Sequence, residues 1–484
     1  MVGLAGLRLA ARMAAYDVTG GGRRIRGWNP ASDSINRIVQ ANGESLRRYA
    51  RDAERRNPYA KQAVRSFAGN LIGTGIQPQS QHPDEKKRQF IDKTFLRWTD
   101  EADADGRHDF YGQQRLAAEE FFVAGEALAR FRPRFLTDGL TVPLQVQLLP
   151  PEFLPLNERQ DLTAGSKVRW GIEYNQIGRR VAYHLYKEHP GEEPLFSQPL
   201  ELTRVPAEFV AHLYPGRSGQ QRGDSMMSAA LVTLYEIERY ESAELVRKGL
   251  TALFAFFVRD IDGSGGSSGF EGSETDSDGT RLQSVEPGSV VHLPSNKQVE
   301  TPAFPDVGGQ YAAFLKQQLH KVAAALGVPY HLVTGDLGDF NYSSIRAALL
   351  EFRRLLELLQ HQVMVYQFCR PLWRAWMDAA ALARVIDPAD YARNMADYLA
   401  VEWVPDAWEW VDPLKDGQAA VLLKDNLLTS RGKIIRGMGD DPIAVDNEIA
   451  IEQQRERDLN LQRGAKAELT QPTVDPAQDG GAKQ

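Results

Sequence analysis

The sequence LGVPYHLVTGDLGDFNYSSIRAALLEFRR at residues 326–354 joins a turn-forming segment to the start of a long amphipathic helix. Gly, Asp, Asn and Ser crowd its middle because tight turns and helix starts favour them. Ser343 or Ser344 is a natural N-cap for the helix. The apolar stripe that follows is Ile345, Leu349, Phe352, Leu356, Leu359 and Val363. The opposite face carries Arg346, Arg353, Arg354 and Glu357. This spacing predicts a helix from residue 345 to about 363 with one buried face.

Two more long helices are predicted upstream of this segment. One covers residues 228–248 and would be roughly 30 Å long at 1.5 Å per residue. The other has the apolar stripe Tyr311, Leu315, Leu319, Val322 and Leu326. Between these helices we expect buried strands at 251–261 and 285–294, separated by a solvated Gly/Ser/acidic loop at 261–280.

The N-terminal half mixes helices with strands. Residues 32–68 are charged and helical in character, and Asn57-Pro58 should split them because a residue before proline leaves the helical region. Shorter helices are predicted at 89–98 and 113–123. Segments with strand character are 142–149, 168–175 and 178–186, and residues 205–215 complete this mixed region. The expected fold class is therefore α+β with an excess of helix.

The C-terminal region and the chain's start have a different composition. Residues 403–416 are unusually aromatic, and helices should follow them to about residue 463. Residues 464–484 are polar and are expected to be disordered. Residues 1–16 are apolar, but Arg8 and Arg12 interrupt them, so neither a signal peptide nor a membrane span is predicted.

Charge and cysteine usage restrict the function classes. The chain of 484 residues carries a net charge of −7 and has a pI near 5.8, which disfavours a protein that coats DNA phosphates. Its one cysteine, Cys369, excludes an intrachain disulfide and a cysteine-based zinc cluster. The basic run from Arg47 to Arg65 is interrupted by acidic residues. We therefore weigh ion pairs or a solvated helix face at least equally with nucleic-acid contact.

No complete catalytic constellation is found. The GxSxG letters at residues 265–269 lack the helix that a nucleophile elbow needs. There is no phosphate-binding loop and no HExxH grouping. Asp336, Asp339 and Asn341 have the oxygen ligands that Mg²⁺ prefers, but a turn explains them better. We expect no catalytic residue, cofactor or metal site. The enzyme alternative is a metal-dependent nuclease or hydrolase acting on DNA through Asp336, Asp339 and possibly Ser267.

Several stretches, in order along the chain, resemble the lambda-type family of tailed-phage portal proteins. A Gln-x-Arg-Gly turn at residues 220–223 precedes a long helix, as in that family, and residues 326–354 match it most strongly. The remaining matching stretches are 46–78, 142–154, 171–186 and 408–420. The resemblance spans about residues 28–463, so chance is a poor explanation.

The resemblance implies a portal-like subunit of wing, stem, clip and crown, arranged in a dodecameric ring. After a flexible segment at 1–27, it places the wing at 28–225 and 345–374. The stem helices fall at 226–250 and 304–328. The clip, tunnel loop and crown correspond to residues 251–303, 329–344 and 375–463.

The resemblance also implies partners and candidate sites. Double-stranded DNA would pass through the ring, which would contact the terminase large subunit, major capsid and scaffolding proteins and the head-tail connector, but no membrane. The protein would belong to the virion's portal vertex and assemble in the host bacterial cytoplasm. Candidate tunnel-loop residues near DNA are Asp336, Asp339, Phe340, Asn341 and Tyr342. Candidate clip contacts are Glu271, Glu274, Asp276 and Asp278. Stem residues that either face the channel or form ion pairs, for instance Glu244 with Lys248, are Arg239, Arg247, Lys248, Lys316 and Lys321.

Overall fold

The structure is a computed structural model of the chain. It describes residues 32–162, 165–192, 200–253, 257–260, 274–275, 281–282, 297–300, 308–338, 342–408 and 413–461. The predicted terminal segments 1–27 and 464–484 lie outside these ranges, as does the strand predicted at 285–294. Among the described residues, no helix combines the length and the hydropathy that a membrane span requires.

The charged N-terminal segment forms two helices, as predicted. Helix α1 covers Ile35–Arg56 and helix α2 covers Pro58–Ile72. The Asn57 side chain between them accepts hydrogen bonds from the backbone N–H groups of Tyr59 and Ala60. Because proline has no N–H to satisfy, Pro58 fits the first helical position. Asn57 therefore ends one helix and caps the next.

The main core is helical and aromatic. Helix α4 (Phe110–Ala124) packs with α2, and helix α3 (Glu85–Thr99) contributes to the same core through Phe95, which contacts Phe110 of α4. Phe67 of α2 lies against Phe122 of α4 with ring centroids 4.4 Å apart. A neighbouring group of large rings is fully or almost fully buried: Phe95, Trp98, Trp373, Trp376 and Trp403. Burying such rings supplies much of the free energy of folding.

Two antiparallel sheets are formed by residues 127–213, which follow α4 in the sequence. Strands β2 (Ala127–Pro133), β3 (Leu144–Leu149) and β9 (Val210–Leu213) form a three-stranded antiparallel sheet in the order β3-β2-β9. The second sheet is a five-stranded antiparallel meander whose strands pair in chain order. Its strands are β4 (Arg159–Asp161), β5 (Lys167–Arg169), β6 (Ile172–Tyr174), β7 (Arg180–Tyr186) and β8 (Leu202–Pro206).

One strand prediction was wrong in detail. The segment 168–175 is a hairpin, because Trp170 (φ 55°) and Gly171 (φ 78°) adopt left-handed conformations that reverse the chain. The segment 205–215, at the end of this mixed region, contributes to two strands. A 3₁₀ turn at Ala207–Phe209 sends its two ends, in β8 and β9, into different sheets.

The first long helix, α5, covers Leu231–Leu253, so it begins and ends later than predicted. The predicted strand at 251–261 shortens to β10 (Phe257–Asp260), because Thr251–Leu253 extend the helix. Strand β13 (Lys297–Glu300) pairs with β10. The loop predicted at 261–280 holds a short strand, β11 (Glu274–Thr275), paired with β12 (Arg281–Leu282).

The second long helix, α6, covers Gly308–Leu326, and a short helix α7 (Tyr330–Thr334) follows within the segment predicted as a loop. Helix α8 covers Tyr342–Leu359, so Ser343 and Ser344 lie in its first turn rather than at its N-cap. Phe352, Leu356 and Leu359 are buried, as the stripe predicted.

The chain stays helical well beyond residue 363. Wide π-helical turns at Gln360–Cys369 lead into α9 (Arg370–Leu382). Short helices α10 (Pro388–Arg393) and α11 (Met395–Leu399) precede β14 (Val401–Val404). Strand β14 pairs with β1 (Gln77–Ser80) and so joins distant parts of the sequence.

The predicted C-terminal helices are α12 (Pro413–Asp425), α13 (Arg431–Gly437) and α14 (Pro442–Asp458). Arg346 of α8 pairs with Asp416 of α12 at 2.7 Å. The Arg353 guanidinium lies 5.0 Å from the Trp408 ring centroid. The basic face of α8 therefore contacts the aromatic segment that begins this region.

Candidate functional site

Helices α5 and α6 lie side by side through aromatic contacts. Tyr240 of α5 stacks on Tyr311 of α6 with ring centroids 5.6 Å apart, and its contact with Phe314 is edge-on at 5.2 Å. The Lys248 ammonium lies 5.8 Å from the Tyr311 ring centroid. The two helices predicted as a pair are thus brought together.

The cations of α5 are paired with carboxylates on the same helix. Arg239 approaches Glu236 at 3.6 Å, and Arg247 binds Glu244 at 2.6 Å. Lys248 also lies 3.9 Å from Glu244. Arg247, one turn from Glu244, is thus a closer partner than the predicted Lys248. On α6, Lys321 is exposed and Lys316 is half-buried.

The N-terminal end of α5 is anchored in the main core. Met227, Ala230 and Leu234 are buried there. The turn at residues 220–223 lies just before them, and its Gln220 amide donates to the Arg222 carbonyl (2.8 Å) and to Asp224 (2.7 Å). The Gln-x-Arg-Gly turn therefore holds its own shape through the glutamine side chain.

Arg222 of this turn enters a buried charged cluster, which we call the Glu126 cluster: Arg47, Glu126, His212 and Arg222. Glu126 is fully buried and accepts hydrogen bonds from Arg47 (2.5 Å), Arg222 (2.6 Å) and His212 (2.8 Å). The Gly223 N–H donates to it as well, at 2.7 Å. One carboxylate therefore joins helix α1, strand β9 and the turn before α5.

Burial and charge shift the pKa values within the cluster. Burial alone would raise the pKa of Glu126, but Arg222, Arg47 and His212 outweigh it and hold the pKa well below its usual value. Burial lowers the pKa of His212 to about 4, against the opposing effect of its bond to Glu126. The carboxylate is therefore ionised and the imidazole neutral at pH 7.

Two glycines let the turn approach the sheet. A Cβ on Gly223 would lie 2.1 Å from the Gly125 carbonyl oxygen, which is a severe clash. Gly125 itself has a φ of 94° and would meet the Asp224 backbone at 2.3 Å. Only glycine fits either position without backbone movement. The glycine of the Gln-x-Arg-Gly turn is thus explained by close backbone packing.

The basic run of α1 and α2 is partly used in ion pairs. Arg47 is buried on Glu126, and Arg51 binds Glu120 (2.5 Å) and Glu152 (3.0 Å). Arg56 lies 3.4 Å from Glu238 of α5. For these residues the ion-pair interpretation is the one that the structure supports.

The predicted tunnel-loop residues are described only in part. Asp336 is exposed and accepts hydrogen bonds from the Gly338 N–H (2.9 Å) and the Tyr330 hydroxyl (3.2 Å), which lower its pKa. These contacts are those of a turn residue. Tyr342 begins α8, and Asp339, Phe340 and Asn341 lie outside the described residues. Within the described part of the chain, no three His, Cys, Asp or Glu residues are grouped as metal ligands.

Of the predicted clip residues, Glu274 begins strand β11. Glu271, Asp276 and Asp278 lie outside the described residues, as does Ser267 of the hydrolase alternative.

Sequence patterns assigned no role to Glu126 or His212. Each is a polar residue beside or within an apolar strand segment, GEALARF for Glu126 and VAHL for His212. A polar residue in such a segment indicates a buried polar group, and this was the sequence feature that could have identified them. Arg47 was counted with the basic run and Arg222 with the turn. Their meeting is a product of the tertiary fold.

The chain is similar to known proteins over most of its length. Residues 21–360 match the family described as phage portal protein, lambda family. The probable portal protein of Halomonas phage phiHAP-1 is 27% identical over 451 residues, covering 90% of this chain and 85% of that protein. Portal protein B of Escherichia phage lambda is 21% identical over 460 residues, covering 87% and 86% of the two chains. A chain from the neck of a native gene transfer agent particle has a TM-score of 0.47 at 16% identity, covering 82% of this chain and 93% of that one.

Proposed function

The chain belongs to the lambda family of phage portal proteins, and from that premise we propose that twelve copies form a ring through which double-stranded DNA enters and leaves the capsid. The observation that carries this proposal is the family match over residues 21–360, most of the chain. A portal is a structural protein rather than an enzyme. No observation favours the nuclease alternative.

In the proposed subunit, the stem is residues 226–250 and 304–328, which contain all of α6 and all of α5 except its last residues, Thr251–Leu253. Their support is the aromatic packing of Tyr240 against α6 and the anchoring of α5 by the Glu126 cluster. A helix that lines a DNA channel must keep its orientation while DNA moves past it. The buried charges and the glycine contact at its base supply that rigidity.

The remaining segments follow the same proposal. Residues 28–225 with 345–374 form the wing, 251–303 the clip, 329–344 the tunnel loop and 375–463 the crown. The continuous helix of α8, the π-helical turns and α9 runs across the proposed wing–crown boundary at residue 374.

The proposed partners are the terminase large subunit, the major capsid and scaffolding proteins, and the head-tail connector. The acidic clip residues, among them Glu274, would meet terminase or connector. Assembly would take place in the host bacterial cytoplasm, before the protein becomes part of the virion capsid.

We expect the proposed channel wall to bind DNA weakly because the cations of α5 are paired with carboxylates. Arg239 and Arg247 have carboxylate partners on the same helix, so they release few counterions from DNA. We expect the variant Glu244→Gln, which removes the carboxylate beside Arg247 and Lys248, to bind duplex DNA more tightly than the native ring, with a steeper salt dependence. The measurement is fluorescence anisotropy with labelled duplex across a salt series.

The matched control for that variant is Glu119→Gln, which removes a carboxylate paired with Arg115 on α4, away from the proposed stem. Unchanged DNA binding in the stem variant, or an equal increase in the control, would contradict a channel-facing α5.

The ring itself is tested by negative-stain electron microscopy with mass measurement on the purified full chain. We expect rings with a central hole and a mass close to twelve subunits. A compact monomer or dimer at all concentrations would overturn the proposed assembly.

A further inference from the structure

We propose that the outward side of helix α8 docks into the groove between α1 and α5 of a neighbouring copy, and that this contact builds the ring. The inference rests on the proposed function, because it assumes assembly of identical copies. It adds which surfaces meet and which residues carry the contact.

Helix α8 has a second apolar surface on the side away from its buried stripe. Leu350, Leu355 and Leu358 are 47%, 41% and 50% exposed. Arg354 lies between Leu350 and Leu358 at i, i+4 spacing, so the three residues share one side of the helix. We call Leu350, Arg354, Leu355 and Leu358 the outer stripe. Large apolar side chains grouped on one face of a helix are typical of a protein–protein contact.

The proposed receptor is a groove of about 540 Å³ between α1 and α5. Its apolar lining includes Leu46, Tyr49, Leu231, Val232, Leu234 and Tyr235. Val232 and Tyr235 are 72% and 59% exposed, so much of this surface is uncovered in one copy. Apolar anchors at i and i+3 on a helix, such as Leu355 and Leu358, suit such a groove.

The rim of the groove has the charge that Arg354 requires. Asp52 and Glu238 line it with one guanidinium, Arg56. Asp52 also lies 3.7 Å from Arg55. Their carboxylate side chains remain 49% and 43% exposed despite the pairing of both with Arg56. Across the described residues, Arg354 has no ion pair of its own. Its docking beside Asp52 and Glu238 would fix the register of the helix in the groove.

The two surfaces do not meet within one copy. Helix α2 contacts both α1 and α8, so it lies between the groove and the outer stripe. A contact between two unlike surfaces leaves a free groove at one end and a free stripe at the other. Such head-to-tail contacts repeat from copy to copy, and they close into a ring when the rotation between neighbouring copies divides a full turn evenly. A self-complementary interface would stop at a dimer.

Cysteine crosslinking tests this arrangement in the full-length protein. We expect the double variant Tyr235→Cys, Leu358→Cys to give a ladder of covalent multimers, up to the full ring, with a short bifunctional maleimide. Either single variant alone should give no multimers, and a mixture of the two should give covalent dimers. The native chain is the background control, because Cys369 is fully buried and burial raises the pKa of its thiol.

The outcomes separate this interface from the ring itself. Rings that form in the double variant without crosslinking would overturn the interface and leave the proposed function intact. Crosslinking within a single variant would overturn it too, since it requires a self-complementary contact. A failure of the native chain to form rings would overturn the proposed function first.

Charge and burial variants give an independent measurement. We expect Leu358→Asp to raise the free-subunit fraction about tenfold or more, which corresponds to roughly 1.4 kcal/mol per contact. Arg354→Glu should weaken assembly, and Glu238→Lys in the same chain should restore part of it. The control is Ile177→Asp, at a hairpin turn where the side chain is 84% exposed. An equal effect of this control, or none from Leu358→Asp, would contradict the interface.

Discussion

Replacing Glu126 with glutamine is expected to lower the free energy of unfolding by about 3–5 kcal/mol, because it leaves two buried guanidinium groups without a counter-charge. Arg47 and Arg222 are 3% and 1% exposed, so water cannot replace the carboxylate. The amide keeps the volume of the side chain, which excludes a cavity as the cause. The measurement is chemical denaturation of the full-length protein, followed by fluorescence of its buried tryptophans.

The matched control is Glu119→Gln, whose ion pair with Arg115 is partly exposed and contributes at most about 0.5 kcal/mol. Adding Arg47→Met to Glu126→Gln should recover part of the loss, because one unpaired charge is then removed. A loss below about 1 kcal/mol for Glu126→Gln would show that the guanidinium groups find other partners, against the role given to this carboxylate.

Acidification is expected to remove about 3 kcal/mol of stability through His212 alone, because each tenfold change in proton affinity on folding corresponds to about 1.4 kcal/mol. The pKa of His212 falls from 6.5 to about 4 on folding, mainly through burial. Between these values the unfolded chain binds a proton at this site and the folded chain does not. The stabilisation is therefore complete above pH 6.5 and is lost as the pH falls through 4.

Other groups titrate in the same range and must be separated from His212. Burial raises the pKa of Asp92 to about 6, which has the opposite sign and makes the fold less stable as the pH rises from 3.8 towards 6. The groups that act on His212 are Glu126, Arg180 and Arg222, together with the rings of Tyr183 and Tyr214. Comparison with a variant at His212 isolates its contribution.

The variant is His212→Gln, which retains a donor for Glu126 but does not titrate. Its free energy of unfolding should fall less than that of the native chain between pH 7.5 and 4.5. Parallel pH profiles for the two proteins would show that His212 is protonated equally in the folded and unfolded states. They would contradict a neutral buried imidazole.

The predictions for Glu126 and His212 both concern the base of the proposed stem. They therefore connect the stability of the subunit to its proposed function. The Glu126 cluster ties the turn before α5 to helix α1 and strand β9, so its loss would loosen the helix that we propose lines the channel. A variant of the Glu126 cluster that folds but assembles poorly would show that the cluster links the stability of the subunit to assembly. Under the proposed function, the same residues would stabilise the folded subunit and fix the direction of its stem.

The sequence correctly predicted the elements that have a strong apolar periodicity or a residue pair that breaks a helix. The buried stripe of α8, with Phe352 and Leu356, and the break at Asn57 were both correct. The hairpin at Trp170 was missed because a non-glycine residue adopts a left-handed conformation there, which residue type alone does not favour. The end of α5 was missed because Thr251–Leu253 suit a buried strand as well as a helix.

The sequence by itself was sufficient to recognise the family, because the order of its motifs along the chain is visible there. The long helices, the Gln-x-Arg-Gly turn and the 326–354 segment are each formed by residues that are neighbours in the sequence. The tertiary structure decided which of these segments meet. It brought Arg47, Glu126, His212 and Arg222 together from positions as far as 175 residues apart (222 − 47) and gave them one carboxylate to share. It also left Leu350 and Leu358 uncovered. Burial and desolvation depend on packing, so spacing in the sequence does not report them.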